Sequence, residues 1–101
     1  MPFGLSKHTV ENIQSIFRAH PKIEEVLIYG SRAKGNYKPG SDIDLVCRGK
    51  NVTSAEINQL HRELDELLLP YTIDLSDIRC ISNKELLNHI RRVGKSFYQR
   101  A

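Results

Sequence analysis

The sequence predicts an α/β domain in which a small β-sheet is flanked by helices. Short apolar segments alternate along the chain with longer segments in which apolar residues recur every three to four positions. The predicted order is helix, strand, short helix, strand, helix, strand, helix. Because 101 residues can bury one hydrophobic core but not two, we expect residues 1–101 to form a single domain.

The N-terminal part of the chain predicts a helix followed by a strand. Ser6 is a suitable N-cap for a helix that runs to about Ala19, with apolar residues at positions 10, 13 and 17 on one face. Pro21 lies just beyond its expected end. Residues 24–29 follow as a strand, and their near-continuous apolar run indicates burial on both faces.

The middle of the chain predicts a helix and a third strand. Thr53 and Glu56 have the spacing of a capping box, which opens a helix with apolar residues at positions 57, 60, 64, 67 and 68. Pro70 stops this helix. Residues 71–75 then alternate between apolar and polar side chains, as expected for a strand.

The C-terminal part of the chain predicts a last helix. Ser82 and Glu85 form a second capping box, and apolar residues at positions 86, 90, 93 and 97 share one helical face. Gly94 is expected to end or loosen this helix. Phe97 and Tyr98 either close the core or dock a partner, and the sequence does not separate these alternatives.

Bulk composition is that of an ordinary globular protein. The net charge of +3 suits nucleotide or nucleic-acid binding but also suits proteins that bind neither. We interpret Cys47 and Cys80 as buried, reduced residues, because they lack the spacing of a zinc site or a disulfide framework. No segment has the apolar length of a membrane span or signal peptide, so we expect the cytoplasm. Four histidines are interpreted as surface residues: His8, His20, His61 and His89.

The central stretch IYGSRAKGNYKPGSDIDL, residues 28–45, contains a candidate phosphate site. Gly30 and Ser31 follow a strand, and Ser31 suits the start of a short helix whose amide groups point back toward the strand end. Arg32 and Lys34 add positive charge beside this turn. For Gly-Ser alone, an ordinary turn capped by serine is the simpler interpretation.

The same stretch ends in a candidate metal site. Residues 42–48 are predicted to form the second strand, and alternation along a strand puts Asp42 and Asp44 on one face. Two carboxylates held so close are costly without a cation, and hard oxygen ligands suit Mg²⁺ or Mn²⁺. The alternative is that both aspartates face solvent on an exposed strand.

The spacing between the two halves of the stretch indicates a family. Gly30 and Ser31, ten intervening residues, then Asp42 and Asp44 resemble the signature of the DNA polymerase β-like nucleotidyltransferases, and the chain is most similar to the minimal nucleotidyltransferases. This resemblance covers residues 5–98 and implies a nucleotidyltransferase fold with a small mixed sheet. It also implies that a neighbouring strand supplies a third carboxylate, for which Asp74 is the first candidate.

The resemblance further implies a two-metal site. Asp42, Asp44 and Asp74 would hold two Mg²⁺ ions, with Mn²⁺ as an alternative. Asp77 is a weaker candidate for the third ligand because it lies past the expected strand end. In nucleotide binding, Gly30 and Ser31 would hold the β- and γ-phosphates of a nucleoside triphosphate, and Arg32 or, as the second choice, Lys34 would neutralise phosphate charge.

By resemblance, the expected function is that of an antitoxin that transfers AMP from ATP to a hydroxyl group of a HEPN-class toxin. One alternative is a binding module that neutralises its partner without catalysis, and another is a nucleotidyltransferase acting on RNA or a small molecule. A homodimer or a hetero-oligomer with the partner is expected on family grounds alone. Nothing in the sequence indicates membrane association, base preference or the acceptor.

Overall fold

The chain folds around one four-stranded sheet, and a computed structural model describes residues 2–100. The strands are β1 (Ile23–Tyr29), β2 (Ile43–Gly49), β3 (Ile73–Asp77) and β4 (Lys95–Gln99). The helices are α1 (Lys7–Arg18), α2 (Gly30–Lys34), α3 (Ser54–Asp65) and α4 (Lys84–Val93), with short 3₁₀ turns at Pro2–Gly4 and Ile78–Cys80. This architecture confirms the predicted α/β fold with a sheet flanked by helices.

The sheet is mixed, with strand order β3-β2-β1-β4. Strand β1 pairs antiparallel with both β2 and β4, whereas β2 and β3 are parallel. The register sets Tyr29 beside Asp44 across β1 and β2, and Asp44 beside Asp74 across β2 and β3. Because side chains alternate along each strand, these three side chains project from the same face of the sheet.

Helices cover both faces of the sheet. The main core lies between the sheet and helices α1 and α3, and its fully buried members include Ile13, Phe17, Ile28, Leu45 and Leu60. On the opposite face, which we call the α4 face, Ile90 of α4 packs with Tyr29 and Val46 in a smaller cluster. The predicted carboxylates therefore lie on the face with the smaller core.

Two of the predicted helix starts are confirmed and two are wrong. Helix α2 begins at Gly30, with Tyr29 at its N-cap position and no side-chain capping hydrogen bond, so Ser31 is not its N-cap. The side-chain oxygen of Ser6 accepts a hydrogen bond from Thr9 N at 3.1 Å, and that of Thr53 accepts from Glu56 N at 3.2 Å. Helix α4 does not begin with the Ser82–Glu85 capping box. Asn83 is its N-cap, because its Oδ1 accepts from the amides of Glu85 and Leu86 and satisfies two of the donors at the helix start.

The C-terminal residues form a strand that the sequence did not predict. Helix α4 ends at Gly94, whose N–H donates to Ile90 O at 2.8 Å and whose backbone is extended. Phe97 was expected on the apolar face of α4 but lies in β4, where it and Tyr98 are buried. Of the two interpretations for this aromatic pair, closure of the core is therefore the correct one.

Several predicted boundaries differ by a few residues. Strand β2 begins at Ile43, so Asp42 lies just before the strand, and β3 extends to Asp77. Helix α3 ends at Asp65, which leaves the side chain of Leu68 88% exposed in a left-handed backbone conformation. Strand β1 is not buried on both faces throughout, because Glu24 is exposed.

The two cysteines differ in environment. Cys47 is buried as expected, but Cys80 is exposed at the end of a 3₁₀ turn, so its interpretation as a core residue was wrong. Among residues 2–100, no helix combines the length and apolar character needed to cross a bilayer.

Candidate functional site

Three polar side chains form a row across three strands on the α4 face. Asp44 occupies the centre of the row, with Tyr29 on one side and Asp74 on the other. Asp44 is half-buried, Asp74 is exposed and Tyr29 is buried. Asp42 lies two residues before Asp44 and is exposed. Strand register thus brings Asp74, a residue 30 positions away in the sequence, beside the Asp42–Asp44 pair.

Charge repulsion is concentrated on the central carboxylate. Burial raises the pKa of Asp44 above its ordinary value, and the neighbouring carboxylates of Asp74 and Asp42 raise it further. Burial and the charges of Asp74 and Asp44 also raise the pKa of Tyr29 to about 12. The site therefore holds excess negative charge that a cation would neutralise.

The chemistry of this cluster fits a hard divalent cation. Carboxylate oxygens are the ligands that Mg²⁺ and Mn²⁺ prefer. Within residues 2–100, no three His, Cys, Asp or Glu side chains are already arranged around one metal-binding point. The three aspartates are thus neighbours on one surface rather than a closed set of ligands, and their role as metal ligands stays a prediction.

The Gly30–Ser31 turn lies directly against the central carboxylate. Gly30 has φ +73°, which disfavours other residues, and a Cβ at this position would collide with Oδ2 of Asp44. Glycine is therefore required twice, for its backbone angle and for the approach of the carboxylate. Ser31 is half-buried in the first turn of α2, beside the glycine. The two halves of the sequence motif are adjacent in the fold.

His89 belongs to this site and is not the surface residue that the sequence predicts. Gly30 N–H donates to Nε2 of His89 at 3.2 Å, and the imidazole meets the Tyr29 ring edge-on with 6.0 Å between ring centroids. The side chain is half-buried. No local pattern could reveal this contact, because it joins residues 59 positions apart.

Arg32 does not point into the cluster of carboxylates. Its side chain is buried, with 3% of its surface exposed, and its guanidinium donates to the backbone carbonyl oxygens of Ser41 and Phe3. These contacts occupy donors on all three guanidinium nitrogens. The expectation that Arg32 binds phosphate groups therefore lacks support from the geometry.

Asp77 is excluded as an alternative third carboxylate. In β3 it is three residues after Asp74 and so projects from the other face of the sheet, in register with Cys47. It is buried, pairs with Arg79 at 2.8 Å and accepts from the Arg79 backbone amide at 2.9 Å. Asp77 therefore has a structural role.

The buried, paired state of Asp77 and the exposure of Asp74 predict different effects on stability when each is replaced by asparagine. Hydrogen bonds from Arg79 lower the pKa of Asp77, so its carboxylate stabilises the fold above its ordinary pKa of 3.8, and that stability is lost as pH falls through the lower folded-state value. At neutral pH, Asp77→Asn is expected to reduce the free energy of unfolding by about 1–3 kcal/mol, whereas Asp74→Asn is not. Urea unfolding measures both. An equal loss in the Asp74 variant would contradict the assignment.

Fold and site together have the features of a nucleotidyltransferase domain: a mixed sheet presents adjacent carboxylates beside a Gly-Ser turn that opens a short helix. The family model for polymerase beta nucleotidyltransferases matches residues 11–101. The chain therefore belongs to the polymerase beta nucleotidyltransferase family. A comparison with curated protein sequences finds no match.

Solved structures share the fold. A chain of a toxin–antitoxin complex with AMP-PNP superposes with a TM-score of 0.73 at 22% identity, over 90% of this chain and 73% of that one. A chain from the complex of tri-AMPylated Shewanella oneidensis HEPN toxin with MNT antitoxin superposes with a TM-score of 0.70 at 19% identity, over 95% of this chain and 74% of that chain. A chain of the MntA–HepT toxin–antitoxin complex superposes with a TM-score of 0.69 at 20% identity, over 94% of this chain and 74% of that chain.

Proposed function

We propose that this chain is an antitoxin that transfers AMP from ATP to a hydroxyl group of a HEPN-class partner protein. The observation on which the proposal rests is the in-register pairing of Asp44 with Asp74, next to Asp42 and against the Gly30–Ser31 turn. Membership of the nucleotidyltransferase family supplies the reaction class. The nucleotide and the partner are inferred from the complexes whose fold this chain shares.

Each part of the site has a separate task in this proposal. Asp42, Asp44 and Asp74 would hold Mg²⁺ or Mn²⁺, which when bound activates the acceptor hydroxyl and neutralises charge on the phosphates. The Gly30 and Ser31 turn would orient the β- and γ-phosphates so that the acceptor oxygen attacks the α-phosphorus and pyrophosphate leaves. Catalysis would depend on positioning and electrostatics, without a covalent enzyme intermediate.

The acceptor is proposed to come from another protein because similar chains occur in complexes with a HEPN toxin. The α4 face beside Asp74 is open to solvent at the exposed carboxylates of Asp42 and Asp74. A partner hydroxyl, for which we favour a tyrosine, can therefore approach Asp42 and Asp74 from outside. The same exposure leaves room for an RNA or small-molecule hydroxyl, which the experiment must test.

The proposal is tested by transfer of label from α-³²P-ATP in the presence of Mg²⁺. The purified chain is mixed with the protein encoded next to it as the candidate partner, and the double variant Asp42→Asn/Asp44→Asn serves as the inactive control. Asp65→Asn, a substitution of an exposed aspartate at the end of α3, is the matched control. Wild type and Asp65→Asn are expected to label the partner, and the double variant is not.

Three results would contradict the proposal in whole or in part. No label on the partner, together with a tight complex formed equally by wild type and double variant, would favour neutralisation by binding alone. Label on RNA or a small molecule in the absence of the partner would retain the nucleotidyltransferase reaction but replace the proposed acceptor. EDTA is expected to stop transfer, and its failure to do so would contradict the metal-dependent mechanism.

A further inference from the structure

We propose that Arg32 is a positioning residue that fixes Asp42 for metal binding through the carbonyl group of Ser41. The inference rests on the proposed function, in which Asp42 is a metal ligand. It assigns to Arg32 a task different from phosphate binding.

The guanidinium holds the residue immediately before Asp42. Nε and Nη2 of Arg32 both donate to Ser41 O, at 3.1 and 2.9 Å, while Nη1 donates to Phe3 O at 2.8 Å. The carbonyl carbon of Ser41 is bonded to the backbone nitrogen of Asp42. Two charge-assisted donors on one carbonyl therefore restrict the peptide plane from which the Asp42 side chain projects.

Other hydrogen bonds complete the support on both sides of Asp42. The loop before it closes on itself, since Ser41 N–H donates to Lys38 O at 2.9 Å and Lys38 N–H donates to Ser41 Oγ at 2.8 Å. On the other side, Ile43 N–H donates to Thr72 O at 2.9 Å. Asp42 is thus the exposed residue between two fixed peptide groups, and Arg32 supplies the anchor on the loop side.

Two tyrosine rings keep the guanidinium in place. Its carbon lies 5.2 Å from the ring centroid of Tyr37 and 4.7 Å from that of Tyr71. Tyr37 belongs to the loop that leads to Asp42, and Tyr71 precedes β3, the strand that bears Asp74. One cation therefore joins α2, the loop before β2 and the segment before β3. These are the segments that present the Gly-Ser turn, Asp42 and Asp74.

Lysine cannot replace this arrangement. Its ammonium group has no planar fork to bind one carbonyl with two nitrogens while a third binds another, and it has no planar face to present to an aromatic ring. Arg32→Lys retains the positive charge, so it separates positioning from simple electrostatics. Arg62→Lys, at an exposed site on α3, is the matched control.

The test compares Mn²⁺ binding by wild type, Arg32→Lys and Arg62→Lys, using the electron paramagnetic resonance signal of free Mn²⁺ without nucleotide. We expect Arg32→Lys to weaken Mn²⁺ binding by about 10–100-fold, as is typical when support of a metal ligand is lost. In transfer assays, the Mg²⁺ concentration for half-maximal rate should rise while the KM for nucleotide changes little. Amide hydrogen exchange should accelerate across residues 36–42. If Arg32→Lys does not fold, Tyr37→Leu is used instead. It removes one of the two rings, so it should weaken Mn²⁺ binding and accelerate amide exchange in the same way but to a smaller extent.

The outcomes separate this inference from the proposed function. Unchanged Mn²⁺ binding in a folded Arg32→Lys variant would overturn the inference, as would a raised nucleotide KM with unaltered metal dependence. Weaker Mn²⁺ binding and faster exchange in the variant, with no transfer by wild type to any acceptor, would support the positioning role while contradicting the transfer reaction. Failure of wild type itself to bind Mn²⁺ would overturn both.

Discussion

Asp44→Asn is expected to abolish nucleotidyl transfer while leaving the fold intact. Asp44 is the central carboxylate of the row, in register with Asp74 and against Gly30. Replacing it removes a charged ligand from the proposed metal site, for which a loss of about 4 kcal/mol of transition-state stabilisation corresponds to roughly a thousandfold lower rate. The measurement is the single-turnover rate of AMP transfer with saturating ATP and Mg²⁺.

The same substitution is expected to stabilise the protein when no divalent metal is present. Burial and neighbouring carboxylates raise the pKa of Asp44 in the folded state, so protonation favours folding. That stability is fully present below the ordinary aspartate pKa of 3.8 and is lost as pH rises through the folded-state pKa. Asparagine cannot ionise, so the variant should have the higher Tm at neutral pH, and the difference should vanish at acidic pH.

Metal and a matched substitution serve as controls for this prediction. Mg²⁺ should raise the Tm of wild type but not that of Asp44→Asn, because only wild type gains from metal binding. Asp65→Asn, at an exposed helix end, should change neither transfer nor the response to Mg²⁺. Transfer by Asp44→Asn at near wild-type rate, or an equal Mg²⁺ response in both proteins, would show that this carboxylate does not bind the catalytic metal.

The parts of the site that are close in sequence could be predicted from it. Alternation along one strand predicted Asp42 and Asp44 on a common face. In the structure the strand begins one residue later, at Ile43, and the charge of Asp42 still raises the pKa of Asp44. Asp74 required the family resemblance, because single-strand periodicity does not specify register between strands. The choice between Asp74 and Asp77 became decidable only when the parallel pairing put them on opposite faces.

The parts that depend on tertiary contacts could not be predicted. His89 approaches Gly30 only because α4 packs on the face that bears Tyr29. Arg32 lies within the phosphate motif, yet its side chain turns toward Phe3 and Ser41, and no local pattern encodes that direction. Strand β4 is short and follows a helix directly, so the helical spacing of Phe97 obscured its alternation.

Gly30→Ala is expected to lower transfer by about 100-fold, the size typical of displacing a catalytic group by an ångström. At φ +73° an alanine is strained by about 1–2 kcal/mol, and its Cβ would also collide with Oδ2 of Asp44. The Asp44 carboxylate or the turn before Ser31 must therefore shift. Transfer rates and urea unfolding would be measured together, because backbone strain alone mainly lowers the free energy of unfolding.

Gly35→Ala provides the control that separates backbone strain from displacement of the carboxylate. Gly35 ends α2 with φ +88°, and a Cβ there would meet no atom within 4 Å. It should therefore show a similar loss of stability, about 1 kcal/mol, with far less effect on transfer. If both alanine variants lose transfer equally, strain in α2 explains the result. A larger loss of transfer in Gly30→Ala that a stabilising osmolyte does not restore would identify the contact between Gly30 and Asp44 as the determinant of activity.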